Sequence, residues 1–240
     1  MLFHILLIKN AKKEKNLKII RIDKFSKKYF IKKISSLKNS YQVIFSINKN
    51  DISIITKSLI IHRLNNLLFC LAFYYENSLK INSILKYFKF LKPVEGRGSM
   101  HKIYINNKKI NIIDESYNAN PDTMFQSIEY LRNIKINNNK KILILGNMNE
   151  MGPDANQIHF NLLKQLDETT FKFVILCGEF FETSIQKFLN PRNEFIYIKN
   201  KSKIMQFLNK HVHNNDFILI KCSNATEVNQ FALELLKKEV

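Results

Sequence analysis

At 240 residues, with 45% hydrophobic side chains and no long stretch rich in Pro, Gly and Ser, the chain excludes a disordered polymer and has room for one large domain or two small ones. Its formal charge of +18 points first to a nucleic-acid or anionic-membrane partner. Composition offers a plainer origin: Lys, Asn, Ile and Phe abound while Gly numbers 5, Pro 4 and Trp 0, the mark of AT-rich codons. The cations are strewn along the chain, densest in 9–38, so no nucleic-acid partner is expected, and a polyanion site is kept only as a third reading.

Cys70, Cys177 and Cys222 lie far apart without a C-x-x-C pair, so they read as reduced thiols of a cytoplasmic protein. The opening M-L-F-H-I-L-L-I is too short for a membrane span and lacks a small-residue cleavage site. His211 and His213 have no third ligand in view and read as loop residues. No metal site is expected within the chain.

In chain order, a helix-like stretch runs to about Lys15, followed by β-rich runs such as L-K-I-I-R-I and Y-Q-V-I-F-S-I, whose alternation suggests half-buried strands. Leu64, Leu67, Leu68, Leu71, Ala72 and Tyr75 then recur at helical spacing, and Ile81, Ile84, Leu85 and Phe88 mark a second helix. K-P-V-E-G-R-G ends that pattern and sets a boundary between 1–92 and 97–240. Beyond it, apolar strands I-N-I-I-D, K-I-L-I-L-G, F-K-F-V-I-L-C-G, E-F-I-Y-I and F-I-L-I-K alternate with helices at roughly 121–134, 154–167, 179–189, 201–211 and 225–238. The first helix has a readable start, with Asn120 as cap, Pro121 at the first position and Asp122 at the positive dipole end. Such alternation predicts an α/β fold with a mainly parallel sheet covered on both faces, and ligands at the carboxyl ends of its strands.

Three loops at those ends carry polar residues. In D-E-S-Y-N-A-N-P, residues 114–121, Asp114 can accept hydrogen bonds from a ribose diol, or Asp114 and Asn118 can merely build an Asx-type turn. In L-G-N-M-N-E-M-G-P, residues 145–153, Gly146 permits a sharp turn and Glu150 can meet an amine or another chain segment. His159 follows on the next helix and reads as a packing or surface residue. In I-K-C-S-N-A-T, residues 220–226, Lys221 and Ser223 at a helix start can hold an anion, or Ser223 or Asn224 simply caps the helix.

Taken together these loops resemble the C-terminal domain of the Mur ligases, and within them the branch that adds D-alanyl-D-alanine to the peptidoglycan precursor. The family pattern of G-R, D-D-S-Y-N-A-N-P, L-G-D-M-x-E-L-G, a later His and K-G-S-R is met in order by Gly96-Arg97, Asp114 to Pro121, Leu145 to Gly152, His159, and Lys221 to Asn224. Upstream, His62-Arg63-Leu64-Asn65-Asn66 is similar to the H-N-x-x-N-A-L-A-A helix of the family's central ATP domain. F-H-I-L-L-I-K-N-A-K resembles the helix after that domain's nucleotide motifs.

The resemblance implies a Rossmann-like C-terminal domain over 97–240, preceded over 1–92 by part of an α/β ATPase domain. It implies ATP and Mg²⁺ as cofactors, and UDP-N-acetylmuramoyl-tripeptide and D-alanyl-D-alanine as substrates. A carboxylate attacks the γ-phosphate in this family, and the incoming amine displaces phosphate from the acyl phosphate, so catalysis is positioning plus charge neutralisation. By the same resemblance Asn66, Arg97 and Asp114 contact ATP. Tyr117, Asn118, Asn120, Glu150, Lys221 and Ser223 shape the dipeptide side.

The chain departs from the pattern in several places. No G-x-x-G-K-[ST] occurs, so no loop here cradles the triphosphate, and the family's uridine-nucleotide domain has no counterpart. Asn147 stands for Asp, Cys222 for Gly, Asn224 for Arg, Arg63 for Asn, and Ile60 for a Gly. Two readings follow. The chain is part of a ligase whose front half is separately encoded, inactive by itself, or it is a non-catalytic remnant or binding module.

Overall fold

The structure, a computed structural model, describes residues 20–22, 25–38, 40–56, 61–88, 94–189 and 191–237, with the backbone alone at 61–63. The chain divides into two compact units, Met1–Leu91 and Lys92–Val240.

In the first unit the run Y-Q-V-I-F-S-I forms β2 (Tyr41–Ile47), between β1 (Tyr29–Ser36) and β3 (Asn50–Thr56) in an antiparallel sheet of order β1-β2-β3. Asn48 and Lys49 link β2 to β3 at φ +49° and +71°. Two consecutive left-handed residues give the turn whose twist matches its strands. Helix α1 (Ile61–Glu76) lays Leu64, Leu68, Leu71 and Ala72 on Tyr29, Val43, Phe45 and Ile47, and α2 (Ile81–Phe88) adds Ile84 and Leu85. Tyr29 donates its hydroxyl proton to Glu76, and Asn48 donates to the Tyr75 hydroxyl, tying sheet to helix.

One reading changes here. The helix read to about Lys15 lies outside the described residues, as does 17–19 of L-K-I-I-R-I. The remaining Ile20-Arg21-Ile22 is not a strand. Ile20 and Ile22 do pack against the core cluster. Alternation reports one-sided burial, which an irregular segment meets as well as a strand.

The second unit has a six-stranded sheet of order β4-β5-β9-β6-β7-β8. Its strands are β4 (Ser99–Ile105), β5 (Lys108–Glu115), β6 (Lys141–Gly146), β7 (Phe173–Cys177), β8 (Phe195–Tyr197) and β9 (Phe217–Lys221). All neighbours are parallel except β4 with β5. That hairpin escaped the sequence reading because its turn, Asn106-Asn107 at φ +47° and +60°, contains no glycine. Asn reaches the left-handed region through its short polar side chain.

Helices α3 (Pro121–Asn133), α4 (Ala155–Leu166), α5 (Glu179–Gln186), α6 (Lys201–His211) and α7 (Glu227–Leu236) cover both faces. Period-two alternation sorts the strands. Ile142, Ile144, Ile175, Ile218 and Ile220 join Leu208, Val228 and Phe231 under α6 and α7. Leu143, Leu145, Val174, Leu176 and Leu219 join Ile128, Leu163 and Phe181 under α3, α4 and α5. With both faces buried, the central strands β6, β7 and β9 are apolar along nearly their whole length. No helix among the described residues is long and apolar enough to cross a membrane.

The cap read at Asn120 is present in full. Its Oδ1 accepts from the Thr123 amide at 2.9 Å, and its own amide donates to Thr123 Oγ1 at 3.1 Å. Asn120→Ala is expected to lower the stability of this unit by about 1 kcal/mol. The check is a shift of the urea midpoint at constant slope, and an unmoved midpoint would mean that other contacts hold the helix start. The cap read at Ser223 or Asn224 is corrected. Helix α7 starts at Glu227 behind Thr226, whose Oγ1 accepts from the Asn229 amide at 3.2 Å.

Candidate functional site

Register brings the carboxyl ends of the central strands level: Glu115 lies opposite Lys221, Leu145 opposite Lys221, and Gly146 opposite Cys177. The polar loops therefore leave the sheet along one rim. What laces them together is a set of buried side chains.

Asp114, 1% exposed, closes its own loop: Oδ1 accepts from the Ser116 amide at 3.1 Å and from Ser116 Oγ at 2.6 Å. The first is the i to i+2 bond of an Asx turn. Its Oδ2 accepts from the Gly96 amide at 2.9 Å, and its carbonyl from the Gly98 amide at 2.7 Å. Gly96 returns a bond, accepting from the Tyr117 amide at 3.1 Å. Arg97 is thereby held with its guanidinium 4.2 Å from the centre of the Tyr117 ring, a cation–π contact on exposed side chains. Arg97, Asp114 and Tyr117 thus form one cluster.

Lys221, 2% exposed, turns inward from the end of β9. Its Nζ donates to the Asn118 carbonyl at 2.8 Å and lies 3.4 Å from Glu115 Oε2. Burial pushes its pKa below the ordinary lysine value, and the Glu115 carboxylate opposes that shift. Ser223, 4% exposed, ties its own loop to two others. Its amide donates to the Asn147 carbonyl at 3.0 Å, its Oγ accepts from the Asn149 amide at 2.9 Å, and Oγ lies 3.4 Å from the Ala119 carbonyl. Since α7 begins at Glu227, neither Lys221 nor Ser223 stands at a helix start, and the placement read for them is corrected.

The substitution of Cys222 for the family's Gly is explained locally. Its backbone is not in the positive-φ region, and Gly146 supplies the room: a Cβ at 146 would stand 2.7 Å from that of Cys222. Burial pushes the Cys222 thiol up to about 12 and that of Cys177 up to about 11, so neither is a nucleophile at neutral pH.

Exposed on the same rim are Arg97, Tyr117, Asn118, Asn149, Glu150 and Asn224, while Asn120 is half-buried as a cap. Glu150 sits at the tip of its loop at φ +62°. Asn66 is exposed on α1 of the other unit. Sequence reasoning passed over Glu115, the charge partner of Lys221, whose signal was its place beside Asp114 at a strand end. It also passed over Asn229, whose Nδ2 donates to the Ser116 carbonyl at 2.9 Å. Among the described residues no three His, Cys, Asp or Glu side chains gather as a metal centre.

The family described as Mur ligase, glutamate ligase domain, matches residues 100–224. The UDP-N-acetylmuramoyl-tripeptide–D-alanyl-D-alanine ligase of Treponema pallidum is 24% identical over 182 residues, covering 75% of this chain and 38% of the relative. That of Rickettsia prowazekii is 26% identical over 145 residues, covering 60% of this chain and 31% of the relative. The chain therefore spans well under half the length of these relatives. Among solved structures, MurF of Acinetobacter baumannii superposes with a TM-score of 0.70 at 19% identity, over 88% of this chain and 45% of that one. MurF ligase of Thermotoga maritima in complex with ADP gives 0.70 at 21% identity, over 90% and 47%.

Proposed function

The chain belongs to the Mur ligase family, and from that membership we propose that it is the rear part of an ATP-dependent amide ligase that adds D-alanyl-D-alanine to UDP-N-acetylmuramoyl-tripeptide. On this reading 1–92 is the end of the central ATP domain and 97–240 the C-terminal domain. The observation that carries it is the rim just described, where a stacked cation and a carboxylate are mounted on loops laced by Ser223. The named function of the Treponema and Rickettsia relatives supports the choice of dipeptide. ATP and a UDP-linked substrate would place the reaction in the cytoplasm.

Each residue has a physical task on this reading. Arg97 meets nucleotide phosphate, its guanidinium kept at the rim by the Tyr117 face. Asp114 acts first by fixing the Gly96 segment, and meets a ribose only where that segment lifts. Asn66 contacts adenine from its exposed place on α1. Tyr117, Asn118 and Glu150 face the dipeptide, with Glu150 on its amine, while Asn120, Lys221 and Ser223 hold the loops that present them. ATP, when bound, supplies the phosphoryl group that activates the carboxylate. Mg²⁺ would be held by the nucleotide and by residues beyond those described. The phosphate loop, absent from this sequence, comes from a further polypeptide segment, joined or separately encoded.

A second reading, a non-catalytic module of the same fold, is favoured by one observation. Asp114, Lys221 and Ser223 already bond within the protein. The test adds ATP and D-alanyl-D-alanine to the isotope-labelled chain at millimolar concentration and follows its amide resonances. ATP is expected to shift 95–98 and the dipeptide 116–120 and 147–151. The isolated chain is expected to form no ADP or pentapeptide product, and to do so when a phosphate-loop half of a Mur ligase is supplied in trans. Absence of both sets of shifts would leave the second reading standing.

A further inference from the structure

We propose that His159 is a positioning residue: neutral, with its proton on Nδ1, it pins the 147–152 loop to α4 and so sets where Glu150 stands on the rim. The residue is fully buried, and both ring nitrogens are engaged. Nδ1 lies 2.7 Å from the Ala155 carbonyl, one helical turn back, and can only donate to it. Nε2 lies 3.0 Å from the Met148 amide, which can only donate. A single tautomer satisfies both bonds, and an imidazolium keeps the Ala155 bond but breaks the other, because it would place N–H against N–H at Met148. The ring is fixed edge-on to Phe181 at 4.8 Å and beside Phe180 at 5.1 Å, so it cannot turn to find another partner.

The loop needs such a pin. Glu150 at φ +62° occupies a conformation that side chains rarely adopt, and Gly152 at φ +63° follows two residues on. Ser223 grips the loop at Asn147 and Asn149 from the β9 side, and His159 grips Met148 from the α4 side. Met148 lies between the two Ser223 contacts in the chain, so three successive residues of the loop base are held. Glu150 is the next residue but one.

The charge state follows from the surroundings. Burial lowers the His159 pKa, the Ala155 carbonyl opposes it, and no charged side chain of the 147–152 loop, α4 or α5 adds to either. With the folded pKa below the ordinary 6.5, the neutral form is favoured in the folded state. The contribution is complete above that ordinary value and is lost as pH falls through the folded one. The role of Glu150 rests on the proposed function, but the pin is read without any ligand, so the two can fail separately.

Amide hydrogen exchange of the full chain, corrected for the intrinsic pH dependence, is the test. Protection at Met148 is expected to fall about tenfold as the His159 imidazole protonates, the ratio one hydrogen bond of ordinary net strength would give. His159→Gln, whose carbonyl oxygen can accept from Met148 but does not titrate, is expected to keep protection at all pH. His159→Phe keeps the ring packing and is expected to lose protection across 148–152 at all pH, with strands β6 and β7 unchanged. Unchanged Met148 protection in the Phe variant, or a Gln variant that still responds to pH, overturns the proposal. If the Phe variant does not fold, wild-type protection that fails to track the imidazole nitrogen resonances overturns it alone.

Discussion

Lys221→Met is expected to destabilise the second unit by about 3–5 kcal/mol, the range for removing one partner of a buried charge pair. The lysine head is 2% exposed and donates to the Asn118 carbonyl at 2.8 Å. The methionine would take up the buried volume of the lysine but leave that carbonyl without this donor. It would also remove the Lys221 cation from beside Glu115, which is 4% exposed. Urea unfolding followed by circular dichroism gives the number. Adding Glu115→Gln should recover part of the loss, because it removes the charge that Lys221 balanced while keeping an acceptor. A single-variant loss below about 1 kcal/mol would mean that the pair is screened by water in solution.

Gly96→Ala is the second large effect, expected at about 2–4 kcal/mol from a left-handed backbone and a steric clash together. The residue sits at φ +71°, and a Cβ there would stand 2.9 Å from both the Cβ and the amide nitrogen of Tyr117. Neither atom is the free end of a side chain, so the 94–98 segment must back away from Asp114. The Arg97–Tyr117 stack should open with it, visible as a loss of ring-current shifts on the arginine side chain. Gly152→Ala is the control. It has φ +63° but open space within 4 Å, so only the backbone cost of about 1 kcal/mol should appear. Equal losses at 96 and 152 would show that the contact with Tyr117 is slack.

The difference between these two glycines was not legible beforehand. Both stand in loops beside motif residues, and what separates them is whether Tyr117 arrives within 3 Å. The same holds for the polar residues of the rim. Asp114, Lys221 and Ser223 stand among the residues that the resemblance offers as ligands beside Tyr117 and Glu150, yet the fold buries the first three and exposes the other two. Asp114 bonds nearby, as its Asx turn to Ser116 allows, but the partners of the other two lie far off in the chain, Lys221 with Asn118 and Ser223 with Ala119 and Asn149. The β4–β5 hairpin was missed for a local reason, a turn made by two asparagines.

What the chain specifies in its own order is the alternation of apolar strand and amphipathic helix, the Asn120 cap, and the succession of loop motifs that marks the family. Those features depend on neighbours within a few residues, through the two-residue period of a strand, the 3.6-residue period of a helix, and side-chain bonds to nearby amides. Which carboxylate, lysine or serine faces water was decided only when β9 inserted between β5 and β6. That pairing brings residues about a hundred positions apart to hydrogen-bonding distance, and a buried polar group takes whichever partner it meets there.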